Sequence, residues 1–87
     1  MNMHTTDIDV TVLFNKGIEE QNIGNLDTAI KIYDEIINIK PDHCRSLHNK
    51  ACVLALQNEL IGALKAFEGA LNLNPNVGLY WINYIKT

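Results

Sequence analysis

Along the first half of the chain the apolar positions fall into two helical patterns separated by a break. Leu13, Gly17 and Glu20 share one helical face, with Phe14, Ile18 and Gln21 beside it. The stretch "NIGN" interrupts this face, and Asn25 stands where a side chain caps a following helix. Leu26, Ala29, Ile30, Tyr33, Ile36 and Ile37 then keep a helical period, with Lys31, Asp34, Glu35 and Asn38 turned outward. "KPD" ends the run, because Pro41 disfavours a helical Lys40 and has no N–H to give. The pattern predicts two antiparallel helices joined by a short turn. Gly17 opposite Ala29 would let them approach closely.

The second half repeats the first. "LFNKGIEEQNIGNLDTAIKIYDEIINIKPD" (Leu13 to Asp42) aligns without a gap on "LHNKACVLALQNELIGALKAFEGALNLNPN" (Leu47 to Asn76), at a constant offset of 34 residues. Leu13, Asn15, Lys16, Leu26, Ala29, Lys31, Asn38 and Pro41 return as Leu47, Asn49, Lys50, Leu60, Ala63, Lys65, Asn72 and Pro75. Gly17/Ala51, Tyr33/Phe67 and Ile37/Leu71 are close substitutions at the same offset. One more step of 34 sets the closing stretch "LYWINYIKT" on the start of a third unit, with Trp81 on the Leu13/Leu47 position and Asn83 on that of Asn15 and Asn49.

A 34-residue helix-turn-helix unit with this order of large apolar, small, Ala, aromatic and Pro resembles the tetratricopeptide repeat. Leu13, Gly17, Ala29, Tyr33 and Pro41 carry the resemblance, and Leu47, Ala51, Ala63, Phe67 and Pro75 carry it again. Lys16 and Lys50 stand where the family usually has Leu, and Glu20 where it often has Tyr; these departures are expected to loosen the packing of the first helices. The resemblance implies an all-α fold, a short solenoid of antiparallel helix pairs with about five helices in a right-handed superhelix. Residues 1–9 read as a flexible N-terminal segment, 10–43 and 44–77 as full repeats, and 78–87 as the first helix of a truncated third.

Size and charge narrow the function. At 87 residues, 47% hydrophobic and 20% charged, the chain fits one small globular domain. A net charge of −3, with the basic residues scattered, gives no stripe for nucleic acid. No apolar run approaches the ~20 residues of a membrane span, and "MNMHTTDID" lacks the order of a secretory signal. Cys44 and Cys52 would lie ~12 Å apart along one helix, too far to bridge, so reduced thiols in a cytoplasmic setting are expected.

Chemistry-bearing residues are few. Cys44, His48 and Cys52 share a helix face, but only a pair such as His48/Cys52 could reach one metal ion, and further ligands would have to come from another helix or chain. His48 with Cys52 could mimic a catalytic dyad, although no Asn or Asp is evidently placed to complete it. No Gly-rich phosphate loop is present. The expectation is therefore no catalysis, no metal and no cofactor.

In tetratricopeptide repeat proteins the first helices line a concave groove for peptides or helices. The resemblance places Phe14, Ile18, Arg45, His48, Asn49, Cys52, Ala55, Leu56, Leu79, Ile82 and Asn83 there. The basic clamp for acidic chaperone tails is absent, since only Asn49 matches it. "ACVLAL" (Ala51 to Leu56) is apolar on every side and so is expected to be buried all round. The expected function is a protein-interaction module whose apolar groove is closed by an amphipathic helix or by another copy of the chain. Tyr80, Trp81, Tyr84 and Ile85 are the expected self-association residues of a homodimer or higher oligomer. An alternative reading makes the chain the leading segment of a longer enzyme, because "NPNVGLYWINYIKT" looks like the junction before glycosyltransferase- or sulfotransferase-like domains.

Overall fold

A computed structural model describes residues 9–86. Five helices follow one another: α1 (Val10–Asn22), α2 (Leu26–Ile39), α3 (Cys44–Leu56), α4 (Leu60–Leu73) and α5 (Gly78–Lys86). Most of the expected flexible segment 1–9 lies outside the described residues. Each helix packs chiefly on its neighbours in sequence, α1 on α2, α2 on α3, α3 on α4 and α4 on α5. The result is a short all-α solenoid measuring 46 × 28 × 18 Å.

The turns inside the two pairs are built alike. α1 and α3 give way to a residue of left-handed backbone, Gly24 at φ 90° and Asn58 at φ 63°, which are the residue types that tolerate it. α2 and α4 stop at Lys40 and Asn74, both outside the helical region at ψ 85° and 82°, because each directly precedes a proline. The N-termini differ from expectation. Asn25 makes no side-chain cap on α2; its amide instead donates to Glu20 Oε1 at 2.8 Å. α1 is capped by Asp9, which accepts from the Thr11 N–H, and α3 by His43, whose Nδ1 accepts from the Ser46 N–H at 3.2 Å.

The core is shared along the solenoid. Phe14, Ala29, Tyr33 and Ile36 form the first cluster, and Val53 of α3 joins it, so the second pair is keyed into the first. Ala51, Ala63, Ala66 and Phe67 form the second cluster, and Ala70, Leu71 and Tyr80 a third at the α4–α5 contact. The closest approach is not the expected Gly17–Ala29 one alone. A Cβ on Gly17 would lie 2.6 Å from Tyr33 Cε1, so the Tyr33 ring occupies the space a side chain would need. The lysines at the family's Leu positions are ion-paired. Lys16 reaches Glu20 at 3.1 Å and Glu19 at 3.2 Å, while Lys50 reaches back to Asp34 of the first pair at 2.6 Å. Bonds from Asn25 and then Lys16 hold the Glu20 carboxyl below its ordinary value.

Candidate functional site

One face of the solenoid is formed by α3 between α1 and α5, and two clefts open there. The first, about 480 Å³, is lined by Phe14, Arg45, His48, Asn49 and Leu79 of the expected set, with Asn74, Val77 and Tyr80 added. Its rim is set by Arg45, whose guanidinium lies 4.6 Å from the centroid of the Phe14 ring. That contact keeps an exposed cation over an apolar wall, an arrangement suited to an acidic or aromatic side chain of a visitor. The second cleft, about 420 Å³, is lined by Cys52, Ala55, Leu56 and Asn83 of the expected set, with Leu60, Phe67 and Lys86.

The expected single groove is thus two clefts, with His48 lining the first and its bonding partner Cys52 the second. Ile18 and Ile82 line neither: Ile18 packs against the first core cluster, and Ile82 is exposed. The expectation that "ACVLAL" is buried all round fails at its end, where Leu56 is 70% exposed because α3 terminates at the molecular edge. Tyr80, expected on the self-association face, lines this first cleft instead, and Val77 joins it without having been expected there. Val77 immediately precedes α5 and Tyr80 lies in its first turn, and both meet the cluster that Cys44 and Leu47 of α3 join, which only the seating of α5 reveals.

His48 is the hub. Its ring is buried, stacks on Tyr80 at 4.6 Å between centroids, and packs at 5.6 Å against Phe67. Nε2 lies 3.6 Å from Cys52 Sγ and accepts from the Asn83 amide at 3.2 Å. Nδ1 is buried with no hydrogen-bond partner among the described residues. An asparagine therefore does complete a Cys-His-Asn group, but on the wrong atom. Asn83 shares Nε2 with the thiol, whereas an orienting group in a catalytic triad must hold the opposite ring nitrogen. Burial holds the His48 imidazole below its ordinary value and pushes the Cys52 thiol up. Both shifts favour a neutral pair over a thiolate–imidazolium nucleophile.

The expected self-association residues divide. Tyr80 is a correction: it is buried within its own chain, held by His48 and the third core cluster. Tyr84 also faces inward, packing on the α4 side and donating to Glu68 Oε2 at 3.2 Å. Trp81 remains 44% exposed, with its indole N–H donating to the Pro75 carbonyl at 2.7 Å. Ile85 is 77% exposed, and Leu79 and Ile82 beside it are more than half exposed. The reason follows from the repeat. Trp81 and Ile85 correspond to Leu47 and Ala51, and Ala51 is covered by α4 residues of its own pair; among the described residues α5 has no such partner helix.

Antiparallel helix pairs stacked in sequence, with a cleft-bearing face made by the first helix of each, define a helical repeat scaffold. The chain belongs to the tetratricopeptide repeat family: the family's sequence profile matches residues 10–43 and 45–77. It is 30% identical over 63 residues to the mouse (Mus musculus) protein called tetratricopeptide repeat protein 36, covering 72% of this chain and 34% of that one. The Bos taurus protein of the same name is 32% identical over 69 residues, covering 74% and 37% respectively. The chain thus spans about a third of the length of the curated relatives it matches. A solved structure described as YrrB, a TPR protein with an unusual peptide-binding site, superposes with a TM-score of 0.84 at 23% identity, over 86% of this chain and 39% of that one.

Proposed function

We propose that the chain is a non-catalytic protein-interaction module that uses its α3 face to take a peptide or amphipathic helix and its α5 face to pair with a second copy. Tetratricopeptide repeats bring proteins together, and the structurally similar YrrB is described as binding peptide. The neutral, wrongly arranged His48–Cys52–Asn83 group supports a role without catalysis. Two free cysteines suit a reducing, cytoplasmic setting; among the described residues no helix is long and apolar enough to cross a membrane.

The observation that carries the pairing is the outer face of α5. Leu79, Trp81, Ile82 and Ile85 are 44–77% exposed and together present on the order of 400 Å² of largely apolar surface. Leu56 and Leu60 on the adjoining cleft extend it. Covering such a face on each of two copies buries about 800 Å², the size of a small, weak interface, with a gross gain of roughly 20 kcal/mol at ~25 cal/mol per Å² from which the costs of association are subtracted. Sedimentation equilibrium of the 87-residue chain at micromolar concentration should return a dimer, and Trp81→Ser with Ile85→Ser should shift it to monomer. A monodisperse wild-type monomer would end the pairing reading. A second reading has the same face covered by a following helix of a longer chain, such as the leading segment of an enzyme. It is favoured by the relatives' greater length, and extending the chain by one helix would then abolish dimerisation.

A further inference from the structure

His48, Cys52 and Asn83 converge on one point from two helices. Sγ and Nε2 are 3.6 Å apart, Nε2 and the Asn83 amide nitrogen 3.2 Å, and that nitrogen and Sγ 3.9 Å. A tetrahedral zinc ion, with bonds of about 2.3 Å to sulfur and about 2.0–2.1 Å to nitrogen or oxygen, holds its ligand atoms roughly 3.3–3.6 Å from each other. The observed triangle is close to one face of that tetrahedron. A half-turn of the Asn83 amide exchanges its nitrogen for its oxygen with little displacement, turning the third corner from a donor into a metal ligand.

We propose that His48 Nε2, Cys52 Sγ and Asn83 Oδ1 form a three-ligand site for a zinc-class divalent cation, with its fourth position open to the cleft. The ring is fixed for this task. His48 is 6% exposed, Tyr80 stacks on it, and among the described residues the polar contacts of the ring are made at the Nε2 edge. The cleft of about 420 Å³ that Cys52 and Asn83 line gives room for a water or a partner's ligand at the fourth position. Among the described residues no three His, Cys, Asp or Glu side chains converge, which is why the third ligand is an amide oxygen. Binding replaces the Cys52 S–H bond with a metal–sulfur bond. The proton leaves to solvent and nothing is oxidised or reduced; the ion and the thiolate together carry one net positive charge, which the cleft that Lys86 also lines leaves open to water.

The test is titration of the reduced 87-residue chain with Zn(II) against a chromophoric chelator, and with Co(II), whose thiolate bond adds a near-ultraviolet charge-transfer band. One equivalent should bind with release of one proton. Cys52→Ser should weaken it by more than the ~10–100-fold that losing even an outer-shell partner costs. Asn83→Asp, which supplies a charged oxygen at the same place, should tighten it by roughly tenfold, while Cys44→Ser should leave it unchanged. His48→Gln is compared only if circular dichroism shows it folded; otherwise the Asn83 variants decide. Wild-type affinity no better than that of Cys52→Ser, absence of the charge-transfer band, or loss with Cys44→Ser would overturn the site. None of these outcomes depends on whether the α5 face pairs two copies.

Discussion

The two full repeats share a backbone frame and solve it with different side chains. Where the first pair has Gly17 against Tyr33, the second has Ala51 in the same cluster as Phe67. At the turn the first uses Gly24 and the second Asn58, both left-handed. At the helix start the first uses Asp9 and the second His43. The first repeat also carries polar wiring: the Tyr33 hydroxyl donates to Gln21 Oε1 at 2.7 Å and accepts, at 3.5 Å, from Asn49 of the next pair. Phe67 can make no such bonds. The frame therefore fixes sizes and backbone states, and leaves the chemistry at each position free to differ. Each substitution that swaps the two solutions measures how independent those choices are.

The largest effect is expected at Gly17. Adding a methyl group there places it 2.6 Å from the edge of the Tyr33 ring, and overpacking of a core costs about 1–3 kcal/mol. The ring cannot easily retreat while its hydroxyl is held by Gln21. Gly17→Ala should therefore lower the urea midpoint clearly, and Gly17→Ala with Tyr33→Phe, which copies the second repeat, should lose less than the two single changes added together. Strict additivity in that cycle would show that the hydroxyl does not anchor the ring.

A smaller effect is expected at the turn. A Cβ on Gly24 meets nothing within 4 Å, so its cost is that of the left-handed backbone alone. Gly24→Ala should destabilise by about 1–2 kcal/mol, whereas Gly24→Asn, which copies the second repeat, should cost only part of that. Equal thermal shifts for the Ala and Asn variants would show that the two turns are not equivalent.

Much of this frame was legible because a 34-residue offset compares the chain with itself. Helix pairs, the small–aromatic contact and the proline stops all follow from residues that recur. What did not recur was hidden. Asn25 reads as a cap, yet Glu20 captures its amide from the preceding helix, a contact that depends on how the turn folds back. Tyr80 reads as one more apolar residue of an unpartnered helix, and only the seating of α5 on α4 shows that it stacks on His48. Asn83 recurs with Asn15 and Asn49, but its role does not, since Asn49 bonds Tyr33 and Asn83 bonds His48 and Cys52. Periodicity locates a position; the neighbour across the helix interface, absent from the pattern, decides what that position does.

The helix caps give the smallest effect and separate the repeats by pH. His43 caps α3 through an unprotonated Nδ1, which also lies 2.8 Å from the Ser46 hydroxyl. Burial first, then Arg45 and Lys40, hold its imidazole below the ordinary value of 6.5. Between that lowered value and about 6.5 the unfolded chain binds more protons than the folded one, so stability is full above pH ~6.5 and is lost as pH falls through this window. His48, also lowered, acts in the same direction. Losing a cap costs about 0.5–2 kcal/mol. His43→Asp copies the first repeat and supplies a carboxylate that stays an acceptor down to about pH 4. It forfeits the packing of the ring on Phe14, 5.3 Å away, so its stability at pH 7.5 should be lower than wild type. Its loss between pH 7.5 and 5 should nevertheless be the smaller of the two, leaving the share due to His48. Thermal melts at both pH values decide the matter: parallel losses in wild type and variant would mean that the cap at α3 does not titrate.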